Sequence, residues 1–181
     1  MFDILVQNHF SRLKVNDCSD LEPETRGQSF SERWRQERAL RISSSIFKEI
    51  TCRRSSTPCS KLVKRIVYRN NVSTLAIKYG LANEGNALKQ YEEDHCIQVQ
   101  SCGLFVHPNK PFLCSSPDGL IRDDGVLYVR CEKDTFLLRI YRNVQFWTNL
   151  LPKLENFYMQ CVLPEIIEVD HRETCLYVNH C

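Results

Sequence analysis

No run of about 18 apolar residues occurs anywhere in the chain, so nothing in it is expected to span a bilayer. The opening Met1-Phe2-Asp3-Ile4-Leu5-Val6-Gln7 has no basic stretch, and its apolar run is too short for a secretory signal. The expected address is therefore intracellular, cytoplasmic or nuclear. There is no internal repeat and no low-complexity tract, and 181 residues is the length of one domain with a real core. Tight Cys-x2-4-Cys pairs are missing as well: Cys52 and Cys59 are seven apart and Cys96 and Cys102 six apart. That spacing argues against a structural zinc site. The tail residues His171, Cys175, His180 and Cys181 are spaced too loosely to argue for one.

What is abundant then needs an explanation. Ten cysteines without an export signal read as reduced thiols rather than disulfides. Net charge is only +2, but residues 31–70 hold eleven Lys or Arg against three Glu, a local +8 that leaves −6 elsewhere. A basic part for phosphates beside an acidic part for a metal fits that asymmetry. On charge alone, a solvated helical face is the simpler reading.

Along the chain, residues 1–27 are poorly periodic and read as a loosely docked amino-terminal arm, with residues 28–181 forming a single domain. A helix capped by Ser29 or Ser31 is expected to run to about Ile50, and others at about 61–69 and 72–95, the latter with a kink near Gly80. Ile97–Val106, Phe112–Ser115, Leu120–Ile121 and Val126–Cys131 read as strands, with Asp124-Gly125 as a hairpin turn. Residues 135–163 look mainly helical, interrupted near Pro152, and Ile166–Val169 and Cys175–Val178 look like final short strands. The order predicts an α/β fold with a mixed sheet flanked by helices.

The residues that carry chemistry come in a defined order. They begin with Thr25-Arg26-Gly27-Gln28-Ser29, Trp34, Arg38 and Arg41-Ile42-Ser43-Ser44-Ser45-Ile46-Phe47. Gly80-x-x-x-Glu84-x-x-Ala87-x-x-x-Tyr91 and Gly103-Leu104-Phe105-Val106-His107-Pro108 follow, and then Pro111-Phe112-Leu113-Cys114-Ser115-Ser116-Pro117-Asp118-Gly119-Leu120. Taken singly they have plainer readings: Glu84 as an exposed helix acid, Asp118 as a turn residue, Trp34 as core and His107 as a loop residue. If the Asp124-Gly125 turn closes a two-stranded hairpin, residues near 118 face residues near 128–131.

The ordered set from about 25 to 178 resembles the YqaJ-type viral recombinase nucleases, lambda-exonuclease-like members of the PD-(D/E)XK superfamily. The resemblance implies a restriction-endonuclease-like core and Mg²⁺- or Mn²⁺-dependent exonuclease action on double-stranded DNA ends, in recombination or repair. It implies a metal cage of Glu84, Asp118 and the Val129 carbonyl, and catalytic positions at Glu84, Asp118, Arg130 and Gln160. Arg38, Arg41 and Ser45 would lie at the DNA. A single-strand annealing protein and further copies of the chain are candidate partners. The family's Glu-x-Lys is replaced by Tyr128-Val129-Arg130. Tyr128, a degenerate catalytic position, is neutral near pH 7, and Arg130 keeps its proton. Glu132 lies about 13 Å farther along the strand, too far to substitute. Three readings stay open at this point: an impaired deoxyribonuclease, a non-catalytic DNA-binding or recombination-accessory module derived from a viral or mobile element, and a degenerate copy of such an element with no retained role.

Overall fold

Leu5, Val6, Phe10 and Leu13 share one helix, α1 (Phe2–Val15), and pack into the main core. The computed structural model of the chain describes residues 2–15, 18–54, 56–68, 75–121, 125–131, 135–141 and 143–169. A second helix, α2 (Cys18–Glu24), buries Leu21 against Leu104 and Cys114. The amino-terminal segment is thus built into the fold and is not a loosely docked arm. Burying side chains such as Leu13 and Leu21 is worth about 1.5–3 kcal/mol each, which the expected arm would forgo.

The next helix, α3 (Glu32–Ala39), starts at Ser31, whose Oγ accepts from the Trp34 N–H at 3.2 Å. It ends about eleven residues earlier than the sequence pattern predicts. The chain turns at Leu40, and Ile42–Ser43 becomes strand β1, with the Ile42 N–H donating to the Phe112 carbonyl at 2.8 Å. A 3-10 turn (Ser44–Ile46) and helix α4 (Phe47–Thr51) complete the stretch. Three consecutive serines hold a helix weakly, and the sheet offers Ile42 and Ser43 partners that a helix would deny them. Helix α5 (Ser60–Val67) buries Leu62, Val63 and Ile66 on one face, and α6 (Leu75–His95) follows as one continuous helix through Gly80.

Among the described residues, six strands form two three-stranded sheets. In the first, β1 runs parallel to β3 (Leu113–Ser115), which pairs antiparallel with β2 (Phe105–Val106). In the second, β4 (Gly119–Ile121), β5 (Gly125–Cys131) and β6 (Thr135–Tyr141) are antiparallel neighbours in that order. Only Phe105–Val106 and a bridge from Gln100 to Leu120 survive of the strand expected over 97–106. The reason lies in α2. The Gly103 N–H donates to Glu22 Oε1 and the Leu104 N–H to Thr25 Oγ1, so side chains take the donors a sheet would need. A Cβ at Gly103 would lie 2.1 Å from the Glu22 carbonyl oxygen, so this close approach requires glycine.

Residues 135–141 are a strand where a helical pattern was expected. All seven pair with β5, from Cys131↔Thr135 to Gly125↔Tyr141, and that ladder outweighs local preference. Helix α7 (Val144–Phe157) then starts at Asn143, whose side chain accepts from the Phe146 N–H, and carries Pro152 inside it without a break. A π-helical turn (Tyr158–Val162) continues it, and residues 163–169 are helical, so the strand expected at Ile166–Val169 is absent. Asp124, the 175–178 segment and the tail cysteines and histidines lie outside the described residues. Among the described residues no helix is long and apolar enough to cross a membrane.

Candidate functional site

The two sheets meet at Ser116-Pro117-Asp118, the short link between β3 and β4. Asp118 is held there by backbone bonds. Its N–H donates to the Leu127 carbonyl at 2.9 Å, although Leu127 is the register partner of Gly119. Two consecutive residues facing one partner make a β-bulge, a device that re-aims a side chain. The re-aimed carboxylate accepts the Val129 N–H at Oδ2, 2.6 Å away. A strand residue directs its N–H and C=O toward the same neighbour, so the Val129 carbonyl also faces the Asp118 side of β5. Gly119 packs under Val99, and any Cβ there would come within 2.2 Å of Val99 Cγ1. Pro117 is fixed from below: its carbonyl accepts from Gln28 Nε2 at 2.8 Å and from the Cys102 thiol at 3.1 Å. Burial, together with the charges of Glu22 and Asp118, pushes that thiol up to about 12, so it stays a neutral donor.

Glu84 comes from α6, the helix that packs on β5. Burial raises its carboxyl above the ordinary range, and the negative charge of Asp118 raises it further. Asp118 is also raised by burial, with the Val129 N–H pulling the other way. Two half-buried carboxylates that repel each other, with the Val129 carbonyl on the Asp118 side of β5, make an oxygen donor set of the kind hard cations take. Among the described residues no three His, Cys, Asp or Glu side chains gather into one cluster. Glu84, Asp118 and the Val129 carbonyl are the groups here that could hold a hard divalent cation, with water completing its shell.

The raised carboxyls have a measurable consequence. The native state holds these protons more tightly than the unfolded chain. Stability contributed by the pair therefore falls as pH rises from the ordinary carboxylate range through the raised values. Without divalent cations, Glu84→Gln is expected to melt higher than the wild type at neutral pH, with the gap closing near pH ~4. Thermal melts in a chelating buffer check this, and a variant that melts lower at neutral pH would count against it.

Tyr128 follows one residue after Leu127 and turns to the β1–β3 side. Its hydroxyl lies 2.6 Å from Ser115 Oγ and 3.2 Å from Ser44 Oγ, and the two serines are 3.1 Å apart. The position is occupied by a phenol whose hydroxyl is bound into a hydroxyl triangle. Arg130 sits two residues on, opposite Phe136 in the ladder; its side chain is outside the described residues, as is Glu132.

The Arg38 guanidinium stacks on Trp34, 4.4 Å from the ring centroid, and donates to Ser43 Oγ and Ser45 Oγ at 2.9 and 3.1 Å. Trp34 Nε1 reaches Ser116 Oγ at 2.9 Å. Burial lowers the Arg38 pKa from its usual value, but a guanidinium still keeps its charge. Ser45 is exposed and Ser43 buried.

Arg41, expected at the DNA, is instead interior and only 1% exposed. It pairs with Glu37 and donates to the carbonyls of Pro111, Glu37 and Leu13 at 2.8, 2.7 and 3.3 Å. Of the other cations in the basic stretch, Arg33, Arg35 and Arg65 pair with Glu24, Glu32 and Glu49. Gln160 is exposed on the π-helical turn, between the buried Tyr158 and Val162. His107 is a loop residue: its Nδ1 accepts the N–H groups of Asn109 and Lys110. Sequence reasoning missed Glu22, Thr25 and Gln28 as supports. Thr25-Arg26-Gly27-Gln28 stood out as a motif, but nothing local marks its partners, some 75 to 90 residues away.

Among curated proteins, none matches the chain. Solved structures do. The crystal structure of LHK-Exo in complex with dAMP aligns with a TM-score of 0.64 at 16% identity, covering 81% of this chain and all of that one. The alkaline exonuclease LHK-Exo from Laribacter hongkongensis aligns with a TM-score of 0.61 at 15% identity, with the same coverage. At such identities the likeness establishes the fold, which is lambda-exonuclease-like, of the PD-(D/E)XK type. Residues 33–162 match the YqaJ-like viral recombinase domain, well over half of the sequence, and the chain belongs to that family.

Proposed function

We propose that this domain holds double-stranded DNA ends in recombination or repair and hydrolyses their phosphodiesters only weakly. The observation that carries this reading is Tyr128, whose hydroxyl is bound to Ser115 and Ser44 beside Asp118. In this reading Arg38 and Ser45 hold a backbone phosphate, with Trp34 bracing the guanidinium from behind. Glu84, Asp118 and the Val129 carbonyl face the phosphate on its other side. A divalent cation bound there would lower the pKa of an attacking water and offset charge on the phosphate. Tyr128 supplies no carboxylate. Arg130, on the same face of β5 as Tyr128, offers charge but no transferable proton. The substrate is held, and its cleavage is slow.

Equilibrium binding of end-labelled duplex at increasing salt, with cleavage followed in Mg²⁺ and in Mn²⁺, tests both halves. Affinity is expected to fall steeply between about 50 and 200 mM salt, as counterion release requires. Arg38→Ala should bind roughly tenfold more weakly and lower the salt slope by about one. Salt-independent binding, or an Arg38→Ala variant with an unchanged slope, would overturn the phosphate-holding part.

A further inference from the structure

Beside the Tyr128 hydroxyl triangle opens a cleft of about 300 Å³, walled by Phe47, Phe105, His107 and Trp147, with Ser44 and Ser115 at one end. Its aromatic walls are ordered. The His107 ring lies 5.5 Å from Trp147 at 18°, and Phe47 lies 6.2 Å from Trp147 at 40°. Two backbone N–H donors to Nδ1 keep the His107 ring in place. Among the described residues no carboxylate, Lys or Arg lines the cleft, and the groups that do line it do not suit a phosphate or a metal. Flat apolar faces with two hydroxyls at one end suit a planar heteroaromatic ring with a polar edge.

The chain at 43–45 links this cleft to the phosphate side. Ser43 and Ser45 turn to Arg38, while Ser44 between them turns to Ser115, Tyr128 and the cleft. One short segment thus separates a guanidinium from an aromatic slot, as phosphate and base are separated within one nucleotide. We propose that the cleft stacks the unpaired terminal nucleobase of a DNA end whose phosphate Arg38 holds. This rests on the DNA-end reading above and adds a contact to the base itself. Stacking on aromatic side chains is tolerant of sequence, so the contact serves any end.

The test uses duplexes with one frayed terminal nucleotide, bound in a chelating buffer so that nothing is cleaved. The terminal position carries a normal base, 2-aminopurine or an abasic sugar. The wild type should quench 2-aminopurine on binding and prefer the base over the abasic end by about 5- to 150-fold. Trp147→Leu, which keeps apolar bulk, should bind the abasic end as the wild type does and lose most of that preference. Phe105→Ala, at a partly exposed position of β2, should reduce it. Equal binding of base and abasic ends by the wild type, with salt-dependent affinity intact, overturns the cleft assignment and leaves the DNA-end reading standing. Preference that survives in both variants also overturns it. Absence of salt-dependent binding to every duplex removes the DNA-end reading and the cleft assignment together.

Discussion

Tyr128→Glu combined with Arg130→Lys is expected to raise divalent-cation affinity and DNA cleavage together, cleavage by about 100-fold or more. The first change adds a third carboxylate beside Glu84 and Asp118, at a strand position next to the Val129 backbone that already serves Asp118. The second restores an amine that can give up its proton, and a correctly placed acid or base is worth 10²- to 10⁴-fold. Tyr128→Glu alone should recover cation binding more than turnover, because Arg130 still holds its proton. It also removes the phenol from Ser115 and Ser44, so those hydroxyls become free to contact the substrate. Calorimetric titration with Mn²⁺ and hydrolysis of end-labelled duplex measure the two effects separately. A wild-type chain that already cleaves as fast as the double variant, with cleavage abolished by Asp118→Ala, would show that hydrolysis is not impaired.

How far the sequence foretold this arrangement depends on the range over which each contact acts. Counting outward from the expected hairpin turn placed residue 118 opposite 128–131; the ladder pairs Gly119 with Leu127, the Asp118 N–H also bonds to Leu127, and it is the Asp118 side chain that reaches Val129. Helix α5 was similarly plain, since Leu62, Val63 and Ile66 carry its burial at helical spacing. The bulge at Asp118–Gly119 was not legible, because it depends on the Gln100 segment packing over Gly119. Thr135–Tyr141 misled for a related reason. Its apolar residues suit either state, and only the β5 ladder chooses between them. The amino-terminal helices looked loose because the residues that receive Leu21 and Thr25, namely Leu104 and Cys114, come roughly 80 to 90 positions later.

Arg38 and Arg41 show the limit most sharply, and they can be separated by experiment. The two arginines stand one turn apart in one basic stretch and looked equivalent as phosphate ligands. Arg41→Met is expected to cost about 3–5 kcal/mol of stability, the usual result of removing one partner of a buried ion pair. Glu37 would lose the guanidinium it pairs with in the interior, and the carbonyls of Pro111 and Leu13 would lose their donor. That loss corresponds to a fall in Tm of roughly 10 °C or more for a chain of this size. Adding Glu37→Gln to Arg41→Met should return part of the stability, since it removes the charge that the guanidinium had paired with. Arg38→Ala should leave stability closer to the wild type, because the bonds from its guanidinium to Ser43 and Ser45 are to neutral hydroxyls. Its effect should appear in DNA affinity and salt slope instead. Urea unfolding of the four proteins, set beside their duplex binding curves, decides the matter. An Arg41→Met protein of wild-type stability with weakened DNA binding would return Arg41 to the DNA surface and contradict its burial.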